Sequence, residues 1–403
     1  MSRNRENTRD VSGSAAGLMP NSPLVLVMAV ATGAAVANLW YAQPLLDTLG
    51  HFFGVSNGTA GLIVTLTQLG YAAGLAFLVP LGDLLERRRL IVAITLGTVL
   101  SLVLAALAPG VGVFLFASLA IGVTSVVAQV LVPLAAHLAA EEQRGRVVGR
   151  VMAGLLLGIL LARTASGYVS DAFGWRAVFW AAAGLMLVQA TVLWRMLPRS
   201  RGESRLAYGP LLLSVLHLFR DEPLLRRRAV YGTLGMASFS ALWTALTFLL
   251  ANPPYNYSDG VIGLFGLLGV AGALCAMVVG RLHDKGGNRA ATGVSLALIA
   301  VAFAVMGLFR NHLAAIIAGV VLLDLGQQGE HILNQSMIYQ IRPEARSRMT
   351  TAYMTCFFAG GVIGSALAAS LYGVAGWTGV AWLGGGFGGL AFLYWLTGSA
   401  EAK

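Results

Sequence analysis

Between Leu313 and Gln340 an apolar stretch long enough to cross a bilayer is interrupted by Asp324, Gln327, Gln328, Glu330, His331, Asn334 and Gln335. At about 100° per residue Asp324, Gln328, His331 and Gln335 share a narrow stripe, which Gln327, Glu330 and Asn334 widen to under half the circumference. An ionised side chain at the middle of a membrane helix costs at least about 2.5 kcal/mol, so these groups must face protein or water. The stripe marks either a polar path or a buried network that only locks helices together. On a path, Asp324, Glu330 and His331 have the chemistry to take up and release protons.

Arg163 is the one cation that the pattern places well inside another apolar run. An unpaired guanidinium in hydrocarbon is too costly to retain, so it needs a partner, and depth selects Asp324. Arg163 lies about 25 Å along its helix from Arg146, and Asp324 about 27 Å from Arg342. Glu330 sits about 9 Å lower than Asp324, a poorer match. An interface ion pair of Arg163 and Asp324 is the expectation.

The elements that must hold these groups follow from composition. Of 403 residues 57% are hydrophobic and 11% charged, with a mean hydropathy of +0.76, far too little polar surface for a soluble protein of this size. A formal charge of +10 would suit nucleic acid only if the basic residues shared one face, and they fall in short clusters between apolar runs. Cys275 and Cys356 lie inside apolar runs without metal-ligand spacing, which leaves no disulfide framework and no zinc site. Ala35-Val36-Ala37 imitates a signal-peptidase site, but the repeat described below needs the first helix as the partner of a later one.

Runs of spanning length fall near 22–45, 58–81, 90–109, 111–137, 147–169 and 177–197, and again near 229–251, 260–280, 290–309, 312–339, 349–372 and 377–397. The expected fold is an all-α integral membrane protein of twelve transmembrane helices, with tails at 1–21 and 398–403, six-helix bundles at 22–197 and 229–397, and a linker at 198–228. With both termini cytoplasmic, 24 of the 27 Lys and Arg residues fall on that side, with only Arg176 and Arg310 in outside loops. Within the linker, Leu211 to Phe219 is apolar and reads either as a short interfacial helix or as plain linker.

Three pairs of marks recur at nearly one offset. Asp83, in Pro80-Leu-Gly-Asp-Leu-Leu-Glu-Arg-Arg-Arg89, is matched by Asp284, in Gly280-Arg-Leu-His-Asp-Lys-Gly-Gly-Asn-Arg289. Arg144-Gly-Arg146 with Met152 and Gly158 is matched by Arg346-Ser-Arg348 with Met354 and Gly360, and Gly174-Trp175 by Gly376-Trp377. The pattern implies two six-helix repeats in parallel orientation.

In these loops the chain resembles the major facilitator superfamily, and within it the twelve-helix drug:proton antiporter and arabinose-efflux-permease-like group. The family's G-x-L-a-D-R-x-G-R-R loop is matched by Gly280, Leu282, Asp284, Lys285, Gly287 and Arg289, and in the first half by Leu81, Asp83, Arg87 and Arg88. The first copy has Val79, Leu84 and Glu86 where the family usually has Gly, Arg and Gly. The loop would place a carboxylate at the cytoplasmic end of one helix near basic residues of the other half, as a gate latch; the arginines also serve as topology anchors.

Two departures bear on coupling. Ser118 stands where drug antiporters carry a helix-4 Arg, and Ile159 replaces the proline of the helix-5 antiporter motif. Proton antiport therefore does not follow from motifs alone. The resemblance implies a cavity lined by helices 1, 4, 7 and 10, here offering Asn38, Tyr41, Gln43, Gln129, Phe239, Trp243, Thr244 and Gln328 to an amphipathic organic solute.

The resulting expectation is an alternating-access secondary transporter of a bacterial-type inner membrane that exports a small organic solute or drug in exchange for protons. It is not an enzyme: it carries no catalytic, metal or cofactor site, and it works as a monomer whose partners are the solute, protons and the bilayer. An uptake carrier or uniporter, with Asp324 and Glu330 binding solute, is the first alternative; a non-transporting scaffold or sensor is the second, though it needs no intramembrane carboxylates. No G-x-x-x-x-G-K-[ST] loop is present to power a primary pump.

Overall fold

The computed structural model describes residues 18–200, 208–270, 272, 288–341 and 346–398, with only the backbone at 210–212, 346 and 347. Helix α1 (Pro23–Ala37) begins where Ser22 accepts a hydrogen bond from the Val25 N–H at 3.4 Å, with Pro23 in the first turn, where a missing N–H loses nothing. A short α2 (Leu46–Phe53) and α3 (Asn57–Phe77) follow, the latter capped by Ser56. Next come α4 (Arg87–Ala106), α5 (Val111–Thr124), α6 (Val127–Leu138), α7 (Arg144–Phe173) and α8 (Trp175–Met196). The chain continues with α9 (Tyr208–Asp221), α10 (Pro223–Ala251), α11 (Asp259–Leu264), α12 (Asn288–Leu308), α13 (Leu313–Ile341) and α14 (Arg346–Leu396).

Among the described residues the fold is all-α, and nine helices are long and apolar enough to cross a membrane. One of these, α14, is two helices joined at Gly376, whose φ of 58° breaks the helical path. Gly174, between α7 and α8, has the same role with φ 83°, and both glycines are followed by a buried tryptophan, Trp175 and Trp377. A side chain at either glycine would be strained by the positive φ. Large apolar residues crowd the outer surface, among them Leu100, Phe116, Leu161, Val374 at 88% exposed and Trp382 at 79%. Such a belt suits hydrocarbon and would be a liability in water.

Two helix pairs pack backbone to backbone. A Cβ on Gly158 would lie 2.2 Å from the Gly33 carbonyl oxygen of α1, and one on Gly360 would lie 2.0 Å from the Thr233 oxygen of α10. Gly158 and Gly360 thus let α7 seat on α1 and the first part of α14 on α10. Helix α10 starts six residues earlier than the boundary at 229, so the last residues of the expected linker are helical. The apolar linker segment is helix α9, tied down where the Tyr208 hydroxyl donates to the Phe77 carbonyl at 2.7 Å.

The first and second portions of the chain meet along α3 with α14 and along α7 with α11. Thr65 and Ser365 share a hydrogen bond of 2.9 Å, Gln68 bonds Ser240, and the Tyr71 and Phe358 rings are 4.5 Å apart. The tightest closure is at the end remote from the basic clusters. There the Asp259 carboxylate accepts from Thr48 at 2.9 Å and Ser170 at 2.8 Å, while Asp171 accepts from the Ser258 hydroxyl at 2.6 Å and the Gly260 N–H at 3.0 Å. Thr247 donates to the Gln43 carbonyl at 2.8 Å, and Asn252 to Asp47 at 3.3 Å. Each carboxylate takes donors from across the seam.

These bonds clasp that end shut. With spin labels at His51→Cys and Asn256→Cys, an Asp171→Asn/Asp259→Asn double variant is expected to shift the measured distance distribution to longer values. An unchanged distribution would mean that apolar packing alone holds the end closed.

Candidate functional site

Helices α10 and α13 run antiparallel, and their polar side chains meet at three successive levels. Trp243 faces Asp324; Gly235 faces Gln327 and Glu330; Arg228 faces Asn334. At 1.5 Å per residue, the levels of Arg228 and Trp243 are about 22 Å apart. Much of the polar stripe on α13 is therefore turned toward α10.

At the upper level Arg163, only 3% exposed, lies between aromatic faces. Its guanidinium carbon is 3.9 Å from the Trp243 ring centre, 4.6 Å from that of Trp40 and 6.0 Å from that of Phe239. Ring faces carry negative charge density, so these contacts stabilise the cation. Its Nε donates to Gln43 Oε1 at 2.7 Å. Asp324 is 4% exposed and near enough for electrostatic interaction, yet the two form no salt bridge within 4.0 Å. Both pack on one 3-10 turn, Phe265–Gly269: Arg163 against Gly266 and Asp324 against Gly269. Depth on the helices thus brings the pair to one place, while Gln43 takes the hydrogen bond.

At the lower levels Glu330 is fully buried, with Oε1 accepting from Asn334 and Oε2 against Gly235. Arg228, also fully buried, donates to Thr292 at 3.0 Å and to Asn334 Oδ1 at 3.4 Å, and lies within electrostatic range of Glu330. Asn334 also donates to the Tyr353 hydroxyl at 3.3 Å, which meets His331 Nδ1 at 3.0 Å. His331 Nε2 lies 3.2 Å from the Gln335 amide nitrogen, and its ring packs 4.5 Å from Phe357. His331 thus belongs to a network within α13 and α14.

The other expected cavity residues divide. Gln43, Phe239 and Trp243 meet at Arg163, with Tyr41 close by in the chain. Asn38 turns to the Ala35 carbonyl and Met186, and Thr244 faces Gly61 of α3. Gln129 bonds Tyr71 at 3.2 Å, and Gln328 packs toward Gly272. Among the loop residues, Asp83 pairs with Arg87 at 3.8 Å and is within electrostatic range of Arg348 on α14. Asp83, Arg87, Gln129 and Arg348 line a small cavity at the basic end. Arg88 stacks 4.4 Å from the Trp194 ring centre and Arg289 5.7 Å from that of Trp395. Gly280, Asp284 and Lys285 lie outside the described residues.

Two participants escape the hydropathy pattern, and Arg163 is not the only interior cation. Arg228 sits in an Arg-Arg-Arg cluster that reads as a topology anchor, but Leu225, Arg228, Ala229 and Gly232 recur at helical spacing on the inner face of α10. Trp40 reads as an interfacial anchor until its ring is seen on Arg163.

Removing one member of a buried charge cluster strands the others. Arg228→Met is expected to lower the unfolding free energy by about 3–5 kcal/mol. Adding Glu330→Gln should restore part of that loss, measured by thermal denaturation in detergent. Purely additive losses would show that the two side chains do not interact.

The comparisons bear on the whole chain. The model for the Major Facilitator Superfamily matches residues 25–311 and 234–403. The uncharacterized transporter YgaY of Escherichia coli is 49% identical over 375 residues, covering 93% of this chain and 95% of its own. A probable transporter of Streptomyces coelicolor is 36% identical over 390 residues, covering 94% and 89%. A mutant of the nucleoside transporter NupG superimposes with a TM-score of 0.76 at 12% identity, covering 93% of this chain and 99% of that one, a likeness of fold alone. With a family model matching along its length and relatives of this closeness named as transporters, the chain belongs to the Major Facilitator Superfamily and is a multi-pass membrane transporter rather than an enzyme.

Proposed function

We propose that the protein exports a small organic solute across a bacterial inner membrane in exchange for protons, by alternating access between two six-helix halves. The halves are residues 22–197 and 229–397, joined by the segment 198–228, with both termini cytoplasmic and the protein acting as a monomer. The solute would occupy the level of Arg163, Gln43, Phe239, Trp243 and Asp324, where aromatic surface and hydrogen-bonding groups converge.

The observation that carries this reading is the setting of Glu330. Its Oε1 is held by Asn334, its Oε2 has no hydrogen-bond partner among the described residues, and Arg228 is its nearby counter-charge. A carboxylate in a dry interior must be neutralised by a proton or by a cation. Either would do for Glu330, and a small shift of α13 against α10 changes which one does. Exchange between the two as access switches is the elementary act of proton coupling. Asp83, Arg87 and Arg88, together with Gly280, Asp284, Lys285 and Arg289 of the second loop, would gate the basic end. That end carries the Asp83–Arg87 pair with Arg348 of the other half in range.

In proteoliposomes with an imposed pH gradient, Glu330→Gln is expected to abolish gradient-driven accumulation while leaving solute exchange intact. Coupling that survives would move the proton to another group. Asp83→Asn should insert normally yet carry solute several-fold more slowly, since it removes a charge contact made in one state; wild-type flux would leave the loop without a gating role.

A further inference from the structure

The side chains around Arg163 are short of acceptors. Arg163 Nη2, Gln43 Nε2 and Trp40 Nε1 are buried N–H donors with no hydrogen-bond partner among the described residues, while Trp243 Nε1 is turned to Asp324 without a hydrogen bond of ordinary geometry. The four residues are between 1% and 5% exposed. They also touch one another: Gln43 holds the Arg163 Nε, and both indoles lie against the guanidinium. Buried donors are almost always satisfied in native proteins, so several left over in one contact cluster point to an acceptor from elsewhere.

The one carboxylate nearby does not serve. Asp324 lies near the Trp243 N–H and the guanidinium, but its Oδ1 has no hydrogen-bond partner among the described residues and it forms no salt bridge with Arg163. It balances the charge without completing the hydrogen bonds. We propose that the cluster seats the oxyanion of the transported solute, and that the solutes are organic monocarboxylates with an apolar body. This rests on reading the Arg163 level as the transport site.

Three features narrow the class. With Nε engaged by Gln43, the guanidinium keeps its two terminal nitrogens, the fork that grips a carboxylate through two parallel bonds. One fixed positive charge matches one carboxylate: a monoanion that displaces Asp324 leaves a single negative charge for a proton to cover, whereas a phosphate dianion would leave two in a dry interior. An organic cation would have to displace Arg163 from the Trp40 and Trp243 faces or sit beside a like charge. Without solute Asp324 supplies only the balancing charge, and the solute's carboxylate takes over that charge and completes the hydrogen bonds as well. Glu330, six residues further along α13, keeps the proton task.

The test uses purified full-length protein in detergent and a panel of arylalkanoates of graded chain length, each with its primary amide and its amine. Binding is read as the shift in thermal midpoint and the change in tryptophan fluorescence. Carboxylates are expected to bind saturably, and their amides at least about tenfold more weakly. Arg163→Gln should weaken carboxylate binding by at least about tenfold. Trp243→Phe, which keeps a ring over the guanidinium and removes only the N–H, should weaken it several-fold in a protein that still folds. Asp324→Asn removes the internal competitor and should tighten it, whereas it would abolish the binding of a cation. Binding of the amines in place of the acids, failure of every carboxylate, or weakened carboxylate binding in Asp324→Asn overturns the proposal. Carboxylate binding without flux in proteoliposomes would sink the transport reading and leave the site standing. Flux of the amines or amides alone would do the reverse.

Discussion

Four ionisable side chains, Arg163, Arg228, Asp324 and Glu330, are each at most 4% exposed in a protein whose surroundings are hydrocarbon. With all four ionised, the two positive and two negative charges cancel, and that neutrality is the condition on which the rest of the interior depends. A charge left alone at low dielectric is too costly to keep, so any event that changes one member must be answered by another. The aromatic faces around Arg163 and the amides around Glu330 loosen this constraint enough for change. They share the stabilisation of each ion among several weak contacts, so that no single bond is indispensable.

Much of this arrangement is legible in the sequence, and what is not has identifiable causes. The polar stripe from Asp324 to Gln335 follows from helical periodicity alone, because a bilayer penalises every misplaced polar group. Equal depth on two helices brings Arg163 and Asp324 to the same turn of 3-10 helix, but a distance of a few ångströms decides between a salt bridge and a shared neighbourhood, and depth does not resolve that. Arg228 is hidden by its company: Arg226 and Arg227 make the triplet look like a surface anchor, and only the helical phase of Leu225, Ala229 and Gly232 separates the inward member. The clasp of Thr48, Ser170 and Asp259 joins residues far apart in the chain, so no local pattern announces it.

The antiparallel register of α10 and α13 gives the interior its order. Each level pairs a feature of one helix with a feature of the other, from the indole and carboxylate at the top to the guanidinium and amide at the bottom. A bulky residue at Gly235 would close the middle level, since its Cβ would lie 2.6 Å from oxygens of both Gln327 and Glu330. The absent side chain lets α10 approach the carboxylate directly and keeps the second oxygen of Glu330 from being filled by protein.

The clasp at the far end is built from hydroxyls, a side-chain amide and a backbone N–H on carboxylates rather than from opposite charges. Ionic strength weakens attraction between ions at a distance, whereas a hydrogen bond from a hydroxyl to a carboxylate acts only at contact and exchanges for one from water. Contacts of this kind contain no attraction between opposite ions for salt to weaken. Nor does parting the two sides pull a cation away from an anion through the membrane field, where each elementary charge moved is worth about 2.3 kcal/mol per 100 mV. Parting the two sides there breaks hydrogen bonds at contact and separates no ion pair.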